Sequence, residues 1–133
     1  TEFVERFDRQ KGVEDARHIA ARARKGRSLL FFAEGTFTRI PGLRPFHMGA
    51  FETAVEADVP VVPIAIRGTR SMLRDVSLFP RRGSITVTIG KPIEPRHLQD
   101  LSAPDSWTTA IKLRDAVREH ILKHCGEPDL SGH

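Results

Sequence analysis

Residues 31–70 read FFAEGTFTRIPGLRPFHMGAFETAVEADVPVVPIAIRGTR, and the fold turns on how this stretch is punctuated. Two short apolar runs, 29–33 and 59–66, each lead into a polar loop rich in Gly, Thr and Arg. Runs of this length, rich in branched and aromatic side chains, read as buried strands. Residues 49–58 lie between them and repeat at helical spacing, with Ala50, Phe51, Ala54 and Val55 on the inner side. Strand, helix and strand in that order define an α/β chain. Open α/β sheets carry their ligands on the loops beyond strand ends. The first such loop, 34–47, is long and holds Gly35, Pro41, Gly42 and Pro45, and a long loop inside a compact domain is usually functional. Its start, from Glu34-Gly35-Thr36 to Arg39, offers a carboxylate, a permissive backbone, a hydroxyl and a cation. That set suits a phosphorylated, hydroxyl-bearing ligand.

Upstream, Val13, Ala16, Ile19, Ala20 and Ala23 predict a helix over 13–25, stopped by Gly26 after a basic last turn. Residues 28–33 then form a strand buried on both faces. In the second strand, Val61, Val62 and Ile64 read as core, while Pro60 and Pro63 cannot donate ladder hydrogen bonds and predict an irregular start. Residues 84–90 alternate, Ile85, Val87 and Ile89 against Ser84, Thr86 and Thr88, as a half-buried strand does. A linker with a short helix follows over 92–99. The last helix, 105–124, turns Trp107, Ala110, Ile111, Val117 and Ile121 inward. The expected architecture is a layered open sheet flanked by helices, one domain over residues 1–125, with a flexible tail at 126–133.

The 133 residues suffice for one domain, and 39% apolar content with no low-complexity segment predicts a folded one. No apolar run approaches the roughly 20 residues that span a bilayer. The charged start, TEFVERFDRQ, does not read as a signal peptide, so membrane contact is expected to be peripheral. A single cysteine, Cys125, excludes an internal disulfide and fits a reducing compartment. The net charge of +4 lies in the first third: residues 1–44 carry ten basic against six acidic side chains, the remainder eleven of each. An anionic partner is drawn to that segment, although Arg17, Arg22, Arg24, Lys25 and Arg27 also fit a solvated helix face. The pI near 9.8 invites a nucleic-acid reading. No aromatic-studded basic strand or recognition helix supports it, and no nucleic-acid partner is expected.

One His–Glu pair and one His–His pair have spacings that invite a chemical reading. His47 and Glu52 lie five apart, which turns them to different faces of a regular helix. His120 and His124 share a face at metal-ligand spacing, but only Cys125 lies near as a third ligand, and histidines in a last helical turn already suit the helix dipole. No metal and no cofactor is expected.

The ordered motifs resemble the glycerolphosphate acyltransferase family, which includes the 1-acyl-glycerol-3-phosphate (lysophosphatidic acid) acyltransferases. Family domains show four blocks in order: a His-x-x-x-x-Asp catalytic block, Phe-Ile-x-Arg, Phe-Pro-Glu-Gly-Thr-Arg-Ser, and Val-Pro-Ile-Val-Pro-Val. Here Phe3-Val4-Glu5-Arg6 is similar to the second. Phe32-Ala33-Glu34-Gly35-Thr36-Phe37-Thr38-Arg39 is similar to the third, followed by Pro45-Phe46 and Gly49-Ala50. Val59-Pro60-Val61-Val62-Pro63-Ile64 is similar to the fourth, followed by Gly68-Thr69, and Ile89-Gly90-Lys91-Pro92-Ile93 resembles the family's next strand. The resemblance covers residues 3 to about 95. It departs at Ala33 and Phe37, where the family has Pro and Arg; Arg39, two residues on, is the substitute cation. The first block has no counterpart ahead of Phe3.

The resemblance implies part of an enzyme moving a fatty acyl group from acyl-CoA or acyl-carrier protein to a lysophosphatidic acid-like acceptor, in the cytoplasm at a membrane surface. It implies substrate-binding roles for Arg6, Glu34, Gly35, Thr36 and Arg39, with the two arginines on the phosphate. Glu34 would either accept from the acceptor hydroxyl or hold an arginine in place. Phe37 would pack on an acyl chain, on the membrane or on the core. Lacking the base, the chain alone is expected to be inactive. The alternative is a non-catalytic module for anionic lipid or phosphate. A sheet without upstream elements would also expose an edge and an apolar face, so either self-association or a missing segment is expected.

Overall fold

Short strand β1 (Glu2–Phe3) pairs in parallel with β2 (Leu29–Leu30), Glu2 opposite Leu29 and Phe3 opposite Leu30. The computed structural model describes residues 2–3, 12–35, 41–69, 83–99, 102 and 105–131, with backbone alone at 2–3 and 12–17. Helix α1 (Gly12–Arg24) joins the two strands and stops before Gly26, as the sequence predicts. It packs on helix α2 (Gly49–Ala57) through small side chains, Ala20 and Ala23 against Ala57. Side chains this small let the helices approach closely. Arg24 then ties the ends together, donating from Nη2 to the Glu56 carbonyl at 2.8 Å.

Helix α2 buries Phe51, Thr53, Ala54 and Ala57. Thr53 is tolerated inside because its hydroxyl donates to the Gly49 carbonyl one turn back, at 2.7 Å. Beyond α2 the two prolines delay the strand, as expected. Val61 makes an isolated antiparallel bridge to Ile93, and the ladder proper is β3 (Ile64–Arg67) against β4 (Thr86–Ile89). Between bridge and ladder, Val62 and Pro63 lie opposite three residues, 90–92. That extra residue is a bulge, and bulges accommodate prolines.

Helix α3 (Pro95–Leu98) is one turn, opened by Pro95. Helix α4 (Ser106–Cys125) is the longest element, and the Asp105 carboxylate caps it by accepting from the Trp107 amide at 3.1 Å. Its stripe Ala110, Leu113 and Val117 meets Leu43, Phe46, Phe51 and Ala54 in one core. The same helix also packs against β3. Trp107 has the right helical phase for that stripe, yet it is 49% exposed, because burial begins only at Thr109.

The sheet departs most from expectation. Register places Ile64 opposite Ile89 and Ile66 opposite Val87 on one face, and Ala65 opposite Thr88 on the other. Only the Ala65 face is covered by α4. Val62, Ile64, Ile66, Ile85, Val87 and Ile89 are therefore exposed, not core, with Ile66 at 45% and Val87 at 55%. Phe32 is exposed as well, since a turn begins there and ends the strand early.

Residues 127–131, within the expected tail, lie as a strap along the 42–44 loop. Leu43 bridges Asp129 in parallel, its amide donating to the Pro128 carbonyl at 2.7 Å and its carbonyl accepting from Leu130 at 3.0 Å. The Gly42 amide donates to Glu127 Oε2 at 2.7 Å. Gly42 has φ +135°, and a Cβ there would collide with Leu130. Its lack of a side chain is what lets the strap lie flat.

Two outcomes follow from this packing. Leu113 is fully buried, so Leu113→Ala should lower unfolding stability by about 2–5 kcal/mol, measured by chemical denaturation. Arg118 bonds Asp129, and the Ser131 amide adds to it, so the Asp129 carboxyl is held well below the usual carboxylate range. A depressed value stabilises the fold above the unfolded-state pKa of roughly 4 and is lost only as the pH falls below it. Leu130 amide protection should therefore stay flat from neutrality to about pH 4 and fall in stronger acid, and Asp129→Asn should abolish that acid step.

Candidate functional site

The peptide after β2 reverses at once: the Gly35 amide donates to the Phe32 carbonyl at 3.0 Å, closing a turn over residues 32–35. Gly35 takes φ +69°, a left-handed conformation that costs glycine little and other residues more. A second reason for glycine is contact. A Cβ there would stand 2.8 Å from His47 Cδ2 and 3.0 Å from Nε2, so the imidazole of His47 lies directly on the Gly35 backbone.

The chain after Gly42 returns to this turn. The His47 amide donates to the Ala33 carbonyl at 2.9 Å, and Glu34 Oε2 accepts from the Arg44 amide at 3.0 Å. Glu34 Oε2 thus holds a backbone amide, orienting the loop that carries His47. The half-buried turn, its carboxylate and the exposed imidazole over it form one polar cluster beside the exit of β2.

Of the five predicted substrate-binding residues, Glu34 and Gly35 lie together in this cluster. Arg6, Thr36 and Arg39 lie outside the described residues, as does Phe37. Sequence reasoning missed the part played by Arg44 and His47. The available signal was the Pro45-Phe46…Gly49 segment, which follows the Glu-Gly-Thr block closely enough to fold back on it.

The other candidates separate from the cluster. His120 and His124 do lie side by side, ring centroids 4.6 Å apart and planes tilted by 47°, and among the described residues no set of three His, Cys, Asp or Glu side chains is placed to hold a metal. Cys125 is buried. A His-x-x-x-x-Asp spacing also occurs at the far end, from His124 to Asp129. It comes after the other blocks, not before them, and Asp129 Oδ1 is bonded to Arg118 at 2.6 Å and the Ser131 amide at 2.8 Å, so the pair is no base-and-orienter dyad. A groove of about 310 Å³ between α2, α3 and α4 is lined by Val55, Asp58, Pro95, Arg96, Gln99, Ser106 and Thr109 and contains none of the predicted site residues.

Comparison with known proteins agrees with the motif order. The Acyltransferase family model matches residues 1–67, and the chain belongs to that family. It is 31% identical to a 1-acyl-sn-glycerol-3-phosphate acyltransferase of Chlamydomonas reinhardtii, over 97% of this chain and 35% of the relative. It is likewise 31% identical to one from Saccharomyces cerevisiae, over 95% of this chain and 41% of the relative. A chloroplastic 1-acyl-sn-glycerol-3-phosphate acyltransferase of Brassica napus is 36% identical over 68% of this chain and 26% of its own. The chain therefore spans between 26% and 41% of the length of these relatives. The crystal structure of the 1-acyl-sn-glycerophosphate acyltransferase PlsC from Thermotoga maritima shares the fold, with TM-score 0.67 and 22% identity, over 84% of this chain and 42% of that one.

The turn makes its own prediction. Gly35→Ala combines a strained backbone with a clash on His47, so it should cost about 1–3 kcal/mol. Its clearest sign should be a shifted His47 ring resonance in the proton NMR spectrum, with the helical amides unmoved.

Proposed function

We propose that these 133 residues are the acceptor-binding part of a phospholipid-synthesising acyltransferase. The supporting observation is that the family's Glu-Gly-Thr block starts on a turn held from three sides, by the Arg44 amide, the His47 amide and the His47 ring. In this reading Glu34, Gly35 and Thr36 line the site of a lysophosphatidic acid-like acceptor, and Arg6 and Arg39 hold its phosphate. Arginine forks match phosphate oxygens with paired hydrogen bonds, each contributing about 1.5–3 kcal/mol. The donor is a thioester, acyl-CoA or acyl-carrier protein. The acceptor hydroxyl attacks the thioester carbonyl, an O–C bond replaces the C–S bond, and the hydroxyl proton passes through a base to the departing thiolate. The base and the group that orients it come from polypeptide outside these residues.

The work takes place at the cytoplasmic surface of a membrane, through peripheral contact. No described helix is long and apolar enough to cross a bilayer. The exposed apolar face of the β3–β4 ladder is the surface for self-association in the same reading. A second function, a non-catalytic module for anionic lipid, is favoured by the excess of basic residues over 1–44.

The purified chain should bind a short-chain lysophosphatidic acid by calorimetry yet release no thiol from acyl-CoA. Arg39→Ala should weaken that binding by about tenfold to a hundredfold. Turnover by the chain alone would overturn the proposed division of labour. Equal sedimentation with anionic and neutral vesicles would count against the lipid module.

A further inference from the structure

Arg118 is buried far from the Glu-Gly-Thr block in sequence, on the second-to-last turn of the last helix, yet its guanidinium reaches the loop that holds the block. Nη1 donates to the Arg44 carbonyl at 2.5 Å, and Nη2 donates to the Leu43 carbonyl at 2.9 Å and to Asp129 Oδ1 at 2.6 Å. Its Nε has no hydrogen-bond partner among the described residues, and its central carbon sits 4.9 Å over the ring of Phe46, which stacks on Phe51 in the core. A buried cation is costly unless its donors are met, and here the partners come from three places: two adjacent carbonyls of the 42–47 loop, the strap, and an aromatic face.

Residue Arg44 passes this constraint to the site. Its carbonyl accepts from Arg118, and its amide donates to Glu34. Three residues on, the His47 amide holds Ala33 and the His47 ring covers Gly35. The path from α4 to the turn is thus a continuous run of named contacts along one short loop, with the strap as its outer support.

We propose that Arg118 is a positioning residue for the Glu34–Gly35 site, acting through the 42–47 loop, with Asp129 of the strap fixing its guanidinium. This rests on the reading of that turn as the acceptor-phosphate site. The role requires a planar fork that serves two carbonyls and a carboxylate together. A lysine ammonium at the same place carries the charge but not the geometry.

The test uses the whole 133-residue chain, nitrogen-15 labelled, with glycerol 3-phosphate as probe and Arg118→Met, Arg118→Lys and Asp129→Asn as variants. In Arg118→Met, the amides of Gly35, Arg44 and His47 should shift, and those of Leu43 and His47 should exchange at least tenfold faster. Ala54 and Leu113 in the helices should stay within threefold. Probe affinity should fall at least fivefold, Arg118→Lys should not restore it, and Asp129→Asn should move the same amides by less. Asp129→Asn keeps the test decisive should Arg118→Met fail to fold, because Asp129 is half-exposed outside the core. A uniform loss of protection over all amides, unchanged Gly35 and His47 resonances, or full rescue by lysine would overturn the positioning role. If the wild-type chain does not bind the probe, the acceptor-site reading fails, and the amide pattern alone decides what Arg118 positions.

Discussion

The arrangement depends on one face of α4. Ala110, Leu113 and Val117 form a stripe with no exposed surface to speak of, and the aromatic pair Phe46 and Phe51, with Ala54, closes over it. Because Phe46 belongs to the 42–47 loop, packing this stripe also places that loop. Arg118, one residue beyond the stripe, then fixes the loop's carbonyls. Core packing and site geometry are therefore not separate features. The same helix that packs on α2 also bonds the loop that meets the Glu34–Gly35 turn.

The positions of α1, α2 and α4 were legible because each carries apolar residues at helical spacing between clear stops. The start of β3 was legible for a different reason: Pro60 and Pro63 cannot join a ladder, and the structure answers with a lone bridge and a bulge. The burial of the sheet was not legible. Alternation tells which residues share a face, and Ile64, Ile66, Val87 and Ile89 do share one, but it does not tell which face is covered. Periodicity placed Trp107 inward for the same reason, since phase along a helix says nothing of where the opposing layer ends.

The site was legible in part. Glu34 and Gly35 stood out because a polar, glycine-bearing loop follows an apolar run and the resemblance named them, and the structure places the two in one turn. What the block leans on was hidden, because Arg44, His47, Arg118 and Asp129 lie 10 to 95 positions from Glu34. The contacts of the tail were hidden on similar grounds. Its composition suits a loose end, yet Gly42 leaves room for Leu130, and backbone pairing at Leu43 and Asp129 holds it down. The exposed ladder face is intelligible beside the family comparison, in which the chain matches well under half the length of its relatives.

The central claim is that a phosphate-bearing acceptor sits at the turn beyond β2. A crystal structure of the chain with glycerol 3-phosphate tests it most directly. The account predicts the phosphate within hydrogen-bonding distance of the Gly35 region, with the guanidinium groups of Arg6 and Arg39 both turned onto it. A phosphate bound instead at the basic end of α1, or two arginines facing apart with no shared cleft near Glu34, would contradict it.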